Sequence, residues 1–423
     1  VDFFMTDEST IIRPAETFEI DDPGFLEPTG KFVDIELSTD DSLSLKFYAM
    51  VILQDLLRFH LDDKNPEAFV DADLKRLLFV KQNARFEYSD SLYAKSLVSL
   101  KERFQGKAVS AEIEYALASY YFEQGRKYRP YNKEKHRWDL VKAMEYCESA
   151  INDFPGSYGA VNCMVIKENI LEKSVSLTTE YANLPGKPFL SLLSFKNTEK
   201  VYFRIIRMDY EEDKKILSSH RREGLIDKYL TLKPEMEWSV DTKDPGDHQQ
   251  HMAETGFPEL PFGYYVVLAS SDKGFVNQRN LVAYSSFWVS NISFISKKMP
   301  SGETELYVLG REDGHPLNNV QVRSFYQEYD YSSRKYVQRD GPGFETDENG
   351  FFTIPALPGK SRRLMLELSH GKDQYVSPNY FYQQSPYQKD RKTILKTFLF
   401  TDRAIYRPGQ TVYFKGIILE YDG

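Results

Sequence analysis

Long apolar runs and an excess of basic charge are both missing from this 423-residue sequence. No run approaches the roughly 20 apolar residues that a helix needs to cross a bilayer, so we predict no membrane span. Lysine and arginine total 54 against 63 aspartates and glutamates, which gives a net charge of −9. A nucleic-acid-binding face needs clustered lysine and arginine. The one basic run, KYRPYNKEKHR, is explained by a solvated helix–loop junction, so we expect no nucleic-acid partner.

The opening residues, VDFFMTDEST, lack both the basic and the apolar stretch of a targeting segment. Two interpretations remain open at this point. Either the protein stays in the cytoplasm, or a targeting segment is absent from this version of the chain.

Aromatic residues, by contrast, are abundant. Tyrosine and phenylalanine occur 29 times each, and aromatic residues make up 14% of the chain. Most of them follow residue 190, and aromatic side chains favour the half-buried surface of a β-sheet. The length exceeds one ordinary hydrophobic core and predicts roughly two to four domains.

Residues 42–172 repeat apolar side chains at three- and four-residue spacing, which predicts successive helices. Asp40 or Asp41 is the expected N-cap of the first helix, and Pro66 falls where a first-turn proline is tolerated. Short polar connections imply antiparallel pairs stacked in a bundle or a solenoid. The predicted helices are DSLSLKFYAMVILQDLLRFH, NPEAFVDADLKRLLFV, SDSLYAKSLVSLKERF, SAEIEYALASYYFEQG, WDLVKAMEYCESAINDF and SYGAVNCMVIKENILEKS.

Two of these segments resemble a tetratricopeptide (TPR) unit. ALASYYFEQGRKY has the spacing of small, aromatic and glycine residues of a first repeat helix, and KAMEYCESAINDFPGS has the alanine and terminal proline of a second. The loop between them is longer than the repeat allows, so the packing common to all helical hairpins is an equally good explanation. In both cases we predict an all-α, TPR-like domain over residues 1–188 that serves as a packing scaffold.

After residue 188 the apolar period changes from 3.6 to 2, which predicts antiparallel β-sandwiches. Val201, Phe203 and Ile205 alternate along one predicted strand, and KNTEK is the turn before it. We predict immunoglobulin-like sandwiches over residues 189–290 and 291–390, and the start of a third unit over 391–423. The expected fold class is therefore a multidomain α + β protein with helices first and sandwiches after them.

No pattern in the chain predicts catalysis, a metal site or a cofactor. His248 and His251 are three residues apart, whereas the helical zinc pair uses a spacing of four. DENG, residues 347–350, lacks the further ligands of a calcium loop and is typical of a hairpin turn. We expect that the chain is not an enzyme.

The two cysteines, Cys147 and Cys163, lie symmetrically about the FPGS turn between two predicted helices. On antiparallel helices this spacing brings them to the same level, and Ala150 and Ala160 are small enough for close approach. They form a candidate disulfide if the compartment is oxidising. The alternative is two buried free thiols that pack as small apolar side chains.

Close to the C-terminus, KTFLF and TVYFKGIIL are predicted strands, and YRPGQ is the corner between them. Pro408 fixes φ at the second turn position, and Gly409 provides the positive φ that a type II turn requires next. By itself this pattern indicates only a hairpin of a β-sandwich.

Taken together, FLFTDRAIYRPGQTVYFKGIIL closely resembles the start of a macroglobulin domain in the bacterial alpha-2-macroglobulin family. The matching residues are Thr401, Asp402, Arg403, Ile405, Tyr406, Arg407, Pro408, Gly409, Thr411, Val412, Lys415 and Gly416. Ala404 departs from the pattern, since glycine is common there. Weaker similarity to macroglobulin units extends upstream through the predicted strands, and the N-terminal helices are similar to the long version of the family in Bacteroidetes-type bacteria.

The resemblance implies the scaffold portion of a protease inhibitor, as an N-terminal fragment of a longer protein. In that family a protease cleaves a bait segment and the macroglobulin frame collapses around it, in many members with covalent capture by a thioester. Neither Cys147 nor Cys163 has the Glu-Gln that follows a thioester cysteine. The implied partners are proteases, bound through the full-length protein, and the implied location is the periplasm or the outer membrane. An envelope protein that docks to the helical domain is a further expected partner.

A structural or adhesive cell-envelope scaffold is the alternative, because strings of sandwich domains also build adhesins and export machinery. A helical docking module is compatible with either interpretation.

Overall fold

The computed structural model describes residues 1–6, 17–131, 134–219, 222–276, 281–332, 334–357, 362–383, 393–403, 405–407 and 409–422. They form two compact units. The first contains residues 1–172 and 245–249, and the second contains 173–244 and 250–423. The first is helical and the second is built from β-sheets, which confirms the predicted order of helices followed by sandwiches.

The helical unit is a series of hairpins in which each main helix packs against the next in sequence. α3 and α7 also contact α5, so the helices form a stack. Within the described residues, no helix is both long and apolar enough to traverse a bilayer. The elements are a 3-10 helix (Pro23–Leu26), α1 (Thr29–Phe32), α2 (Leu45–His60), α3 (Glu67–Asn83), α4 (Ser89–Arg103), α5 (Ser110–Gly125), α6 (Asp139–Asp153) and α7 (Tyr158–Leu171).

The start of α2 differs from the sequence prediction. Ser44 is the N-cap, and its hydroxyl accepts a hydrogen bond from the Phe47 amide at 3.2 Å. Asp41 is buried and accepts from the Leu43 amide instead, in the turn before the helix. Both side chains satisfy backbone donors, but only Ser44 is close enough to cap the first helical turn.

A buried arginine holds the N-terminal segment against α3. Arg76 is 1% exposed; it donates to the Asp73 carboxylate at 2.8 Å and to the Phe25 carbonyl at 2.7 Å. Asp73 also accepts from the Thr29 hydroxyl at 2.7 Å. Burial lowers the pKa of Arg76, while Asp73 opposes that shift. A charge this deeply buried requires such compensation.

Residues 245–249 belong to the helical unit although they lie far along the chain. The Asp247 side chain is fully buried and accepts from Arg137 Nε at 2.7 Å. Gln249 Nε2 donates to the carbonyls of Gly125 and Arg137, at 3.1 and 3.2 Å. These bonds satisfy backbone acceptors at the end of α5 and just before α6.

The first sandwich pairs a sheet of order β1-β3-β6 with one of order β2-β8-β7-β4-β5. Its core contains the alternating residues Val201, Phe203 and Ile205, as predicted. The strands are β1 (Ser174–Thr178), β2 (Ala182–Asn183), β3 (Phe189–Lys196), β4 (Lys200–Met208), β5 (Met236–Asp241), β6 (His251–Phe257), β7 (Gly263–Ser270) and β8 (Val282–Val289). β1 pairs with β3, so the sheet begins before the predicted domain boundary at residue 188.

Two helices, α8 (Tyr210–Ser219) and α9 (Arg222–Leu230), cover the outer face of the larger sheet. Asp213 on α8 is 1% exposed and accepts hydrogen bonds from the hydroxyls of Tyr229 and Tyr264, at 2.5 and 2.7 Å. The sequence of β7 indicates that a further layer covers this sheet, because its residues are apolar in succession and do not alternate with polar ones. A strand of that kind is buried on both faces.

The second sandwich pairs a sheet of order β14-β10-β9 with one of order β12-β11-β15-β16, in which β13 and β17 pair with β11 and β15. Val320, Val322 and Phe325 are buried in its core. The strands are β9 (Ile292–Lys298), β10 (Thr304–Gly310), β11 (Gln321–Asp330), β12 (Lys335–Asp340), β13 (Phe344–Glu345), β14 (Phe351–Ile354), β15 (Arg362–His370), β16 (Asp373–Val376) and β17 (Phe381–Gln383).

The segment DENG forms a tight turn but not the predicted hairpin, because the flanking strands β13 and β14 pair with β11 and β10 in different sheets. Asp347 accepts from the amides of Asn349 and Phe351 at 2.8 and 2.9 Å, and Gly350 has φ of 70°. A Cβ at Gly350 would lie 2.3 Å from the Val308 carbonyl oxygen, so the neighbouring strand excludes a side chain. The last two strands, β18 (Thr393–Thr401) and β19 (Phe414–Asp422), pair with each other.

Candidate functional site at the Thr401–Gly416 motif

The motif lies at the loop end of the β18–β19 hairpin, where residues 402–413 connect the two strands. Thr401 pairs with Phe414, Phe400 with Lys415, and Leu399 with Gly416. The motif therefore begins where the ladder ends and returns to it at Lys415 and Gly416. Thr411 and Val412 lie in the loop before β19, and Val412 is 46% exposed.

The loop contains the turn that the sequence predicts. The Gln410 amide donates to the Arg407 carbonyl at 3.1 Å, and Gly409 has φ of 88°. The Gln410 side chain accepts from the Arg407 amide at 2.9 Å, which closes the turn from both ends. Pro408, together with Ala404, lies outside the described residues.

Asp402 and Tyr406 connect the two sides of the loop. Asp402 Oδ1 accepts from the Tyr406 hydroxyl at 2.5 Å and from the Tyr413 amide at 3.1 Å. The Tyr406 oxygen accepts in turn from the Arg403 amide at 3.0 Å. The Tyr406 hydrogen bond, followed by the Tyr413 amide and the charge of Arg403, lowers the pKa of Asp402. The Thr401 hydroxyl donates to the Arg403 carbonyl at 2.6 Å and completes the network.

Arg407 projects from this loop to the first sandwich. Its Nε lies 3.3 Å from Glu254 Oε2. The Glu254 side chain is 8% exposed although it belongs to β6, and its second oxygen, Oε1, is buried with no hydrogen-bond partner among the described residues. A buried carboxylate needs a cation or several donors. Arg407 therefore provides the compensating charge. Glu254 is thus the ion-pair partner of this motif residue in the first sandwich.

A cavity of about 590 Å³ lies beside this ion pair. The motif provides Asp402, Arg403 and Ile405 to its wall, and the second sandwich provides Arg311. The first sandwich provides Glu180, Ala182, Asn183, Leu184, Lys187, Pro188, Phe189, Leu190 and Glu254. Charged residues of both signs and apolar residues line it together. This arrangement is suited to docking the hairpin by complementary charges.

Arg311 also defines the joint between the two sandwiches. Its guanidinium donates to the carbonyls of Ser290 and Ile292, at 3.2 and 2.7 Å, and its amide donates to the Asn291 carbonyl. Asp373 accepts from the Asn291 amide at 2.8 Å, and burial raises the pKa of Asp373. Every residue from Ser290 to Ile292 is thus held by the second sandwich.

Cys147 and Cys163, the candidate disulfide, lie opposite one another on α6 and α7. Both are fully buried and are free thiols in this structure. The hydrogen bond with Cys147, together with burial, raises the pKa of the Cys163 thiol. The helices bring the pair together as the sequence predicts, and the disulfide itself stays a prediction.

Sequence reasoning missed two residues. They are Glu254, the ion-pair partner of Arg407, and Asp213, the buried carboxylate of α8 that accepts two tyrosine hydrogen bonds. In HMAETGF, one acidic residue interrupts an otherwise β-forming strand, and this was the only available signal for Glu254. No pattern connects it to a residue more than a hundred positions later. Asp213 follows Glu211 and Glu212, which are both exposed. Within this acidic run the sequence does not indicate that Asp213 alone is buried.

No protein-family model matches the chain, and no curated protein matches its sequence. Several solved structures are similar in part, among them these three. A crystal structure of native alpha-2-macroglobulin from Escherichia coli spanning domains MG0-NIE-MG1 has a TM-score of 0.33 and 13% identity, over 49% of this chain and 64% of that one. A cryo-EM reconstruction of the native E. coli protein has a TM-score of 0.27 and 17% identity, over 59% of this chain and 16% of that one.

Red sea bream transglutaminase is similar at a TM-score of 0.25 and 10% identity, over 54% of this chain and 34% of that one. The match thus spans less than two thirds of each of these three structures. The likeness therefore assigns no activity, substrate or partner to the chain.

Proposed function

We propose that this chain is the scaffold portion of a bacterial alpha-2-macroglobulin-like inhibitor that entraps a protease after bait cleavage. The observation that carries the proposal is the Thr401–Gly416 motif, which matches the opening of a macroglobulin domain. Its residues have separate tasks here: Asp402 and Tyr406 hold the loop, Gly409 turns it, and Arg407 reaches the first sandwich.

The two joints of the β unit differ in a way that suits a collapsing frame. Ser290–Ile292 is fixed by Arg311 and Asp373 through three partly buried hydrogen bonds. The motif hairpin is attached through an ion pair in which the Arg407 side chain is 60% exposed. Partly exposed ion pairs contribute only about 0–1 kcal/mol. In the proposed trap, the first two sandwiches move as one body and the third unit is released or reoriented when the bait is cut.

Further parts of the proposal concern the cell. The partners of the full-length protein are proteases of a host or a competitor, and an envelope protein docks to the helical unit. The location is the periplasm, or the outer membrane through an anchor. The chain itself performs no catalysis, because its task is to position the bait and to transmit the collapse.

The test uses the full-length protein, excess trypsin- or elastase-type protease, and two substrates. A trapped protease still cleaves a small peptide substrate but loses activity on a large protein substrate. Survival of the small-substrate activity together with loss of the large-substrate activity supports the trap. If both activities persist and the protein is merely degraded, the proposal is wrong, and the structural or adhesive scaffold takes its place.

A further inference from the structure

A groove on the helical unit is distinct from everything used in the proposed trap. Its volume is about 780 Å³, and it lies between α3 and α5 with the start of α7 at one end. Small and apolar side chains, among them Leu74, Ala116 and Ser119, form its floor. Leu78 and Tyr158 at its margins are 41% and 72% exposed. An apolar concavity with exposed aromatic and aliphatic margins is typical of a binding site.

The basic side chains of the groove are already neutralised within the helical unit. Lys81 Nζ lies 3.2 Å from Glu123 and stands over the rings of Tyr93 and Tyr120, at 5.2 and 5.5 Å from their centroids. Lys75 Nζ lies 3.3 Å from Asp71. Both ammonium groups therefore have carboxylate partners, and an incoming anion would have to displace one of these.

The acidic side chains outnumber them. Glu67, Asp71, Glu112 and Glu123 line the groove against Lys75 and Lys81. Glu112 accepts from the Gly159 amide at 2.8 Å, and Glu67 accepts from the Asn65 amide group at 3.2 Å. Neither glutamate forms an ion pair with another described residue. Both lie in the first turn of a helix, Glu67 in α3 and Glu112 in α5, where the helix dipole partly offsets their charge. The groove thus has two more carboxylates than ammonium groups beside its apolar side chains.

We propose that this groove binds a polypeptide segment of a partner protein that combines apolar residues with lysine or arginine. Apolar side chains of that segment fill the floor, where burial provides the affinity. Its cations meet Glu67 and Glu112 at the margins, where complementary charge selects the partner. Anionic partners are disfavoured by the same carboxylates. The inference does not depend on protease trapping, since all the groove residues belong to the helical unit.

The experiment is a selection from a displayed library of random peptides on the whole chain, with counter-selection on Ser119→Trp. The tryptophan fills the floor of the groove. Ser99→Trp is the matched control, because Ser99 is exposed on α4 and does not line the groove. An enriched peptide is then synthesised and titrated against each variant, and circular dichroism checks that each variant is folded.

We expect enriched peptides to combine apolar residues with lysine or arginine. Ser119→Trp should weaken their binding at least tenfold, and Ser99→Trp should leave it unchanged. Glu67→Gln with Glu112→Gln should weaken binding roughly threefold to tenfold, as two partly exposed charge pairs would. The charge-matched control, Glu102→Gln with Glu145→Gln, changes exposed acids outside the groove and should have no comparable effect.

The proposal is overturned if no peptide is enriched over the Ser119→Trp counter-selection, or if the enriched peptides are acidic. It is also overturned if the Glu67→Gln, Glu112→Gln variant binds the peptide as tightly as the Glu102→Gln, Glu145→Gln control. Its failure is separable from that of the trap. The peptide titration reports on the groove alone, and the two-substrate assay reports on protease entrapment alone.

Discussion

Arg407 and Glu254 form an ion pair, 3.3 Å from Nε to Oε2, between residues that come from the motif hairpin and from the first sandwich. The carboxylate is 8% exposed and the guanidinium 60%. Arg407 compensates the mostly buried Glu254 carboxylate, but the exposure of the guanidinium keeps the strength of the pair in the range of a partly exposed one. The pair therefore explains why an arginine at this motif position matters to the rest of the chain.

Arg407→Ala and Glu254→Gln should each loosen the motif loop. We expect trypsin to cleave after Arg403 about twofold to fivefold faster in either variant, as loss of a partly exposed ion pair would allow. The double variant should be no faster than the faster single variant, because both remove one interaction. Lys200→Ala is the control, since it breaks the exposed pair with Asp241 in the same sandwich. Additive rates would contradict the pairing.

Acidification should release the loop through Asp402. A carboxyl whose pKa is lowered by folding stabilises the folded form above its ordinary pKa of 3.8, and that contribution is lost as pH falls through the lower folded value. An NMR titration of the Asp402 carboxyl should show the shift. Tyr406→Phe should move the titration back towards the ordinary value, because the Tyr406 hydroxyl is its main cause. An unchanged titration in that variant would refute the assignment.

Alkaline pH should unfold both units through their tyrosines. Burial raises the pKa of Tyr120, Tyr181 and Tyr265 to about 12, and it raises those of Tyr229 and Tyr264 further. A tyrosine in the unfolded chain ionises near pH 10, so the unfolded state loses protons that the folded state keeps. The free energy of unfolding is thus unaffected below that pH and falls above it. Tyrosinate absorbance should rise cooperatively, at the same pH at which the circular dichroism signal is lost. A gradual rise in tyrosinate absorbance while the protein stays folded would contradict this prediction.

Gly350→Ala should destabilise the second sandwich more than Gly314→Ala. Both glycines have positive φ, 70° and 74°, and alanine costs roughly 1–2 kcal/mol there. A Cβ at Gly350 also meets the Val308 carbonyl at 2.3 Å, whereas nothing lies within 4 Å of one at Gly314. The difference between the two variants in chemical denaturation isolates the steric part. Equal effects would show that β10 moves aside.

Cys147 and Cys163 should form a disulfide when the protein is exposed to a thiol oxidant. Both are buried and opposite on α6 and α7, and a bridge across a loop of this length stabilises by about 3 kcal/mol. Thiol titration after denaturation should find none free in the oxidised protein and two after reduction. Cys147→Ser should retain one thiol throughout. Two free thiols after oxidation would contradict the disulfide prediction and would show that the two cysteines pack as small apolar side chains.

Much of the helical unit follows from local pattern. The three- and four-residue apolar spacing predicts α2 to α7, and SAEIEYALASYYFEQG is the full extent of α5. The N-cap of α2 was misplaced, because Asp41 and Ser44 both have capping side chains and only the backbone geometry separates them. Strand alternation likewise predicts Val201, Phe203 and Ile205 in the core.

The sequence by itself determined α2 to α7, the alternating strands and the turn at Gly409, since each depends on neighbouring residues and on the intrinsic preferences of a few side chains. It did not predict α8 and α9, which lie among the strands of the first sandwich. Only the tertiary structure decided that Arg407 meets Glu254, that Arg137 meets Asp247, and that Asp213 receives two tyrosine hydroxyls. These contacts join residues that are distant in the chain. Which residues pair depends on which surfaces pack together and where that packing buries a charge that needs a partner. The local spacing of apolar residues in the sequence does not contain that information.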